Sequence, residues 1–415
     1  MELQEKIKIL TEMALDDRDA RRLSAGSRGP MVSPLNLRSL DYRGSGGVPL
    51  MRVLMTNACR FNCTYCPMRK DRNLPRVALE PETVAATYIE AVRKRWADGL
   101  FVTTGIPGRP IQTMDRLIQL LEILRFRYRY PGYVHVKMVP GAEPAQIERA
   151  VQLAHRVSLN LEAPCQSILD ELAPEKNLSR ALADLQFAHK TSQHLRQSND
   201  QGFSSKSRFQ PILAAGITTQ FVVGASQDTD RQILGLVHDL SWKKKVLHHT
   251  HFSAFRPIRE TPLENRRETP VTRERRLYQV EYLLREYGYR LEEIVFDKQG
   301  NLPLEMDPKV AWAVRHPEQF PVEVQTASRE QLLRVPGMGL TSVERILRYR
   351  RRGLLRDRRD LSRLGVVAAW AQGFITLRGR RITEDRDAVQ QTLWDLHALE
   401  LRPQRTYEFS PGTFR

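Results

Sequence analysis

The chain has 415 residues, 41% of them hydrophobic, with four cysteines and a formal net charge of +17. That is enough apolar material for a packed core and enough length for two or three domains. No apolar run reaches the roughly 18–20 residues of a membrane span. Four cysteines without a visible targeting segment point to a reducing cytoplasm, not to a disulfide-built secreted domain. So large an excess of Lys and Arg favours polyanions such as nucleic acid or anionic lipid, unless the arginines only solvate the surface.

In chain order, residues 1–47 open with a helical stretch, Leu3–Leu15. A Gly/Ser/Pro-rich lead-in, Ser24–Gly47, follows. A strand-like run at 50–56 comes next, and directly after it stand Cys59, Cys63 and Cys66, spaced C-x3-C-x2-C, with Tyr65 before the last. Three clustered thiolates can hold three irons of a 4Fe–4S cubane and leave the fourth open to a small chelating ligand. Structural zinc wants a fourth ligand, and Cys165 lies about a hundred residues on. A disulfide would leave an odd thiol.

From Pro49 to about Phe255 apolar runs alternate with helical segments. The expected strands are 50–56, 100–104, 133–138, 156–162, 217–223 and 248–255, and the expected helices are 81–97, 111–127, 144–154, 178–194 and 229–240. This is the pattern of repeated β-α units around a parallel sheet, with Pro81 suited to a first helical turn. Sites in such barrels lie at the carboxyl ends of the strands. Period-two spacing sets His135 and Lys137 on one strand face, and Ser158, Asn160 and Glu162 on another. These polar sets would face the lumen and need partners, either a bound ligand or one another, with Lys137 paired to Glu162. His248, His249 and His251 suit substrate contacts or lumen packing better than a second metal. Residues 195–210 are polar and read as an insertion over the barrel mouth.

Residues 256–327 form a proline-rich connection with a helix near 272–287. In 328–348, Ser328 with Gln331 and Thr341 with Glu344 each match a capping box, and Gly337 and Gly339 bracket a tight turn. Arginines crowd the region from Arg345 and Arg348 to Arg363, Arg350 among them. A worn second copy of the turn spans Asp360–Val367. A terminal helix, Asp387–Leu401, and a tail close the chain.

The cysteine motif resembles that of the radical S-adenosylmethionine superfamily. The resemblance implies a partial (β/α)6 TIM-like barrel holding one 4Fe–4S cluster on Cys59, Cys63 and Cys66. S-adenosylmethionine would bind the open iron, and its reductive cleavage would yield a 5′-deoxyadenosyl radical that abstracts hydrogen from a substrate. It also implies cofactor contacts from Tyr65 beside the adenine and from the turn at Gly105, where the usual acidic residue is missing. Asn160 and Glu162 would hold the ribose and amino-acid parts, with Lys137 beside them and Gly224 near the adenine. Residues 328–348 resemble a helix-hairpin-helix motif, in which the amides of Gly337 and Gly339 and the helix start at Thr341, with Arg345 and Arg348, would meet DNA phosphates.

The two motifs together, with Leu159–Pro164 and Ser253–Pro257, resemble a family of bacterial cytosolic radical S-adenosylmethionine proteins described as modifying or repairing DNA. The domains implied are a lead-in (1–47), the barrel (48–256), a connector packed on it (257–321), a small all-α helix-hairpin-helix module (322–380), and a carboxyl-terminal helix and tail (381–415). The expected partners are duplex DNA and a low-potential electron donor such as flavodoxin or ferredoxin, with no membrane. The alternatives are action on RNA or a peptide, and a non-catalytic iron–sulfur DNA binder or redox sensor. No catalytic residue beyond the cofactor sites is assigned.

Overall fold

A computed structural model describes residues 2–14, 50–200 and 213–382. The lead-in at 24–47, residues 201–210 of the expected insertion and the terminal helix at 387–401 lie outside the described residues. The described residues fall into two compact units. One is drawn from Met1–Asp228 and Gly235–Val271, the other from Thr229–Leu234 and Thr272–Phe409. Residues 257–321, expected to form one connector, are therefore divided between them. Among the described residues no helix is long and apolar enough to cross a membrane.

The first unit begins with α1 (Leu3–Met13). Six strands follow: β1 (Leu50–Leu54), β2 (Gly99–Thr103), β3 (Tyr133–Lys137), β4 (Arg156–Ser158), β5 (Gly216–Val223) and β6 (His249–Ala254). They form one parallel sheet in the order β1-β2-β3-β4-β5-β6, the half-barrel that the alternating pattern predicts. The crossovers carry α2 (Pro81–Arg93), α3 (Pro110–Glu122), α4 (Pro144–Leu153), α5 (Gln166–Leu172), α6 (Leu178–Asp200) and α7 (Asp230–His238). Proline opens α2, α3 and α4, where its missing N–H costs no hydrogen bond. Val53, Val102, Val136, Val157 and Ile217 are buried on the helix-facing side of the sheet and form the core.

Three expectations for this unit need correction. The fourth strand stops at Ser158 and does not run to Glu162. Beyond it the Thr219 hydroxyl donates to the Leu159 carbonyl (2.8 Å) and accepts the Leu161 N–H (3.1 Å), taking the place of ladder bonds. Glu162 then sits at φ 64°, so period-two spacing does not carry to Asn160 and Glu162. The helix expected to end at 194 continues to Asp200, so residues 195–200 are helix and not insertion. Finally, α5 is a seven-residue helix that the sequence reading did not foresee.

The second unit holds α8 (Val271–Glu286), α9 (Pro308–Arg315), α10 (Arg329–Arg334), α11 (Leu340–Arg351), α12 (Arg358–Arg363) and α13 (Ala368–Ala371). It is not purely helical. Strands β7 (Val322–Glu323), β8 (Ile375–Leu377) and β9 (Arg380–Arg381) form a small sheet. Its hairpin turns on Arg378 and Gly379, both at positive φ, whose amides donate to the Glu323 carboxylate (3.1 and 2.8 Å). The Ser328–Gln331 capping box is present. The second expected box is not: Gly339 precedes α11 and exchanges hydrogen bonds with the Ser342 hydroxyl, while Glu344 pairs with Arg329 (2.7 Å). Helices α12 and α13 are joined through Gly365 at φ 90°, in the stretch read as a worn second copy.

Candidate active site

The cysteine loop leaves the carboxyl end of β1 and returns beside it. Asn57 N–H donates to the Val77 carbonyl and Leu79 N–H to that of Met55. The fully buried Asn57 side chain accepts the Val77 N–H (2.7 Å) and donates to the Pro75 carbonyl (2.9 Å). Arg76 is the hub inside this hairpin. Its guanidinium donates to the carbonyls of Asn57, Met68, Arg69 and Arg72 at 2.6–2.9 Å, a use of its planar fork that a lysine could not copy. Gly105 backs the loop from the end of β2. Its N–H donates to Thr56 (2.7 Å), and a Cβ there would lie 2.3 Å from the Ala58 carbonyl oxygen. The sequence reading turned this glycine toward a ligand; its close neighbour in the fold is the base of the cysteine loop.

The loop's far side is clipped to the unforeseen α5. Thr64 N–H donates to the Leu172 carbonyl (2.8 Å) and Asn62 N–H to Glu175 (2.9 Å). The next residue, Lys176, forms an ion pair with Glu162 at 2.7 Å, the carboxylate being buried and the lysine mostly so. Tyr65 lies within electrostatic reach of the same carboxylate, and the Asn160 amide approaches it at 3.5 Å. Four side chains from three segments thus meet beside the cysteines. Tyr65, Asn160 and Glu162 were predicted; Lys176 was missed, because a lysine in a short polar linker carries no local signal. A cavity of about 450 Å³ opens here, lined by Arg60, Phe61, Asn160, Lys176, Arg180 and Asp184 among others.

All four cysteines are free thiols. Burial pushes the Cys63 thiol up to about 11 and the Cys66 thiol up to about 12, and the Lys176 ammonium acts in the opposite sense on both. Burial also opposes the charge on Lys176, but Glu162 first and then Cys63 hold its pKa above the ordinary lysine value. Burial, then Glu162 and the thiols, keep the Tyr65 phenol protonated. Met68 N–H points at the Cys66 sulfur (3.4 Å).

The remaining predicted residues lie apart. Lys137 closes β3 in register with Ser158. Gly224, at φ 79°, gives its N–H to the Asp228 carboxylate at 3.1 Å, so this amide already has a protein acceptor. His248 sits at the amino end of β6, accepting the Ile217 N–H. His249 and His251 meet edge to face, with ring centroids 4.5 Å apart. Among the described residues no three His, Cys, Asp or Glu side chains gather around one point as a single metal ion requires.

In the second unit two of the hairpin amides have protein partners. Met338 N–H donates to Val335 and Gly339 N–H to Ser342. Gly337 packs on the Val367 carbonyl, 2.6 Å from where its Cβ would be. Arg350 is structural, donating to Val324 and Ala327. Thr341, Arg345, Arg348, Tyr349 and Arg352 are exposed.

Residues 53–193 match the model of the Radical SAM superfamily; the chain contains a radical S-adenosylmethionine domain, and its cofactors are a 4Fe–4S cluster and S-adenosylmethionine. No curated protein matches the chain. Among solved structures, methylornithine synthase (PylB) is similar at 13% identity over 86% of this chain and 83% of that one, with a TM-score of 0.40. HydG, a maturase of the [FeFe]-hydrogenase, is similar at 11% over 87% and 83%, TM-score 0.43. TsrM from Kitasatospora setae, a radical S-adenosylmethionine methyltransferase solved with cobalamin and a [4Fe-4S] cluster bound, is similar at 14% over 85% and 58%, TM-score 0.38.

The residues present fit such a cluster. Three thiols stand on one clamped loop; two of them, Cys63 and Cys66, are pushed up by burial and become thiolates only beside cations, and iron supplies the charge that Lys176 alone does not.

Proposed function

We propose that this protein is a radical S-adenosylmethionine enzyme whose substrate is DNA. Cys59, Cys63 and Cys66 hold the cluster. When bound, the reduced cluster, fed by a low-potential donor, supplies the electron for reductive cleavage of S-adenosylmethionine and so the radical that takes a hydrogen atom from the substrate. Lys176 holds the Glu162 carboxylate beside the cavity that Lys176 and Asn160 line, where the carboxylate and Asn160 can orient an amine or ribose hydroxyls. Phe61, Leu161 and Leu169 wall the cavity with apolar surface.

The observation that carries the DNA reading is the solvent face of α11. Arg345, Arg348, Tyr349 and Arg352 are all exposed, and their spacing puts them on one helix face. Exposed Arg351, Arg356, Arg358, Arg359 and Arg363 extend it. Because the hairpin amides of Met338 and Gly339 are already bonded, phosphate contact falls to guanidinium groups, and the Tyr349 ring offers a stacking surface for an unpaired base. The module therefore resembles a helix-hairpin-helix in sequence but would use side chains where that motif uses backbone.

The test compares duplex DNA, single strands and tRNA, with wild type and the triple variant Arg345→Gln, Arg348→Gln, Arg352→Gln. Duplex DNA should bind best, and the slope of log affinity against log salt should fall by about 0.9 per lost phosphate contact. Wild type should form 5′-deoxyadenosine with DNA, and Cys66→Ala should not. Preference for tRNA, or a triple variant that binds as wild type does, would remove the DNA assignment.

A further inference from the structure

The hairpin of β8 and β9 carries charge that the reading of α11 leaves unused. Its residues, 375–381, include Arg378, Arg380 and Arg381 and no acidic side chain. All three arginines are exposed, and their guanidinium groups have no acceptor among the described residues. The two-residue turn holds Arg378 at φ 55° and Gly379 at φ 73°. Such a turn favours Asn-Gly. An arginine at its first position is strained backbone, and strain of this kind collects at functional sites. The register pairs Leu377 with Arg380 and Thr376 with Arg381, so these two arginines project from opposite faces of the ribbon.

The ribbon is tied to α11 through β7. The Glu323 carboxylate accepts the amides of Arg378 and Gly379, Val324 N–H donates to the Thr376 carbonyl (3.0 Å), and the Val324 carbonyl accepts from Arg350 of α11 (3.2 Å). Amides thus meet the Glu323 charge, and the guanidinium groups are left to solvent. The same link brings the ribbon to the carboxyl-terminal end of α11, where Arg348, Tyr349, Arg351 and Arg352 are exposed. Guanidinium groups gathered in this way repel one another, and a row of phosphates relieves that repulsion while matching their paired donors. We propose that the β8–β9 hairpin is a second nucleic-acid contact, gripping the phosphate backbone of the duplex that α11 meets. This rests on the DNA reading above and adds a site to it. Guanidinium–phosphate contacts read no bases, so affinity depends on the hairpin and sequence preference does not.

The experiment measures binding of the full, cluster-loaded chain to a mixed-sequence duplex and to its scrambled counterpart across a salt series. The hairpin variant is Arg378→Asn, Arg380→Gln, Arg381→Gln, with Asn chosen because it tolerates positive φ. A control, Arg93→Gln, Arg95→Asn, Arg127→Gln, removes the same charge from exposed residues of the first unit. The hairpin variant should bind both duplexes at least about tenfold less tightly at low salt, and its slope of log affinity against log salt should fall by about 0.9 per lost contact. The control should stay close to wild type. Wild-type affinity and slope in the hairpin variant, an equal loss in the control, or a loss on one sequence alone would overturn the proposal. If the triple variant fails to fold, Arg380→Gln alone decides, by a slope lowered by about 0.9 or unmoved. A wild type that binds no duplex would defeat the DNA reading and this inference together. A weakened α11 variant beside an unaltered hairpin variant would defeat this inference alone.

Discussion

Lys176 is the residue on which the site's electrostatics turn. It brings a buried positive charge to Glu162 and lies within electrostatic reach of two cysteines. Its removal has two separable consequences. Breaking a buried pair leaves Glu162 uncompensated, at a cost of about 3–5 kcal/mol. Loss of a nearby cation also makes a cluster harder to reduce, because net charge helps set its potential. Lys176→Met should therefore melt earlier and titrate at a more negative potential, whereas Lys176→Arg should recover most of the potential. Redox titration of both variants alongside wild type checks this, and an unmoved potential in Lys176→Met would contradict the assigned role. The cysteines were legible because their meaning lies in contiguous spacing. Lys176 was not, because its meaning depends on Glu162, which approaches it only in the folded chain.

At the scale of elements, the loop between β1 and α2 is ordered without regular structure, and Arg76 does much of the ordering. Carbonyls of four residues converge on its guanidinium at 2.6–2.9 Å. Leaving them without donors costs about 1–3 kcal/mol for each that water does not reach. Arg76→Gln should lose hydrogen-exchange protection at Cys66, Arg69 and Lys70 while the strand amides keep theirs, and should bind less iron on reconstitution. Uniform loss of protection across the sheet would instead mean that the loop is not a separate cooperative element. The strands were predicted nearly to the residue, apart from β4. There Thr219, sixty residues away in sequence, supplies hydrogen bonds that no local pattern announces. Helix α5 escaped notice because its seven residues are too few for a periodicity to declare itself.

On the scale of the molecule, the +17 charge includes the exposed arginines on the solvent face of α11 in the second unit. Within the second unit Lys309 is a buried cation. Lys309 donates to the Met338 carbonyl and lies over the Tyr287 ring; burial, opposed by Asp307, lowers its pKa from 10.5 to about 7. Below about pH 7 the folded state must bury the charge. Between about 7 and 10.5 only the unfolded state holds the proton, so stability rises with pH across that window. Denaturant melts at pH 6.5 and 9.5 should show this rise in wild type and not in Lys309→Met; parallel profiles would refute it. The sequence by itself determined the parallel β-α order, the cluster-bearing loop and the basic carboxyl module, because each is written in neighbouring residues or in short periods. Only the tertiary structure decided that Glu162 answers to Lys176 and that Thr219 takes the place of ladder partners beyond β4. Those outcomes depend on groups far apart in the chain, and burial gives them their energies only once folding has brought them together.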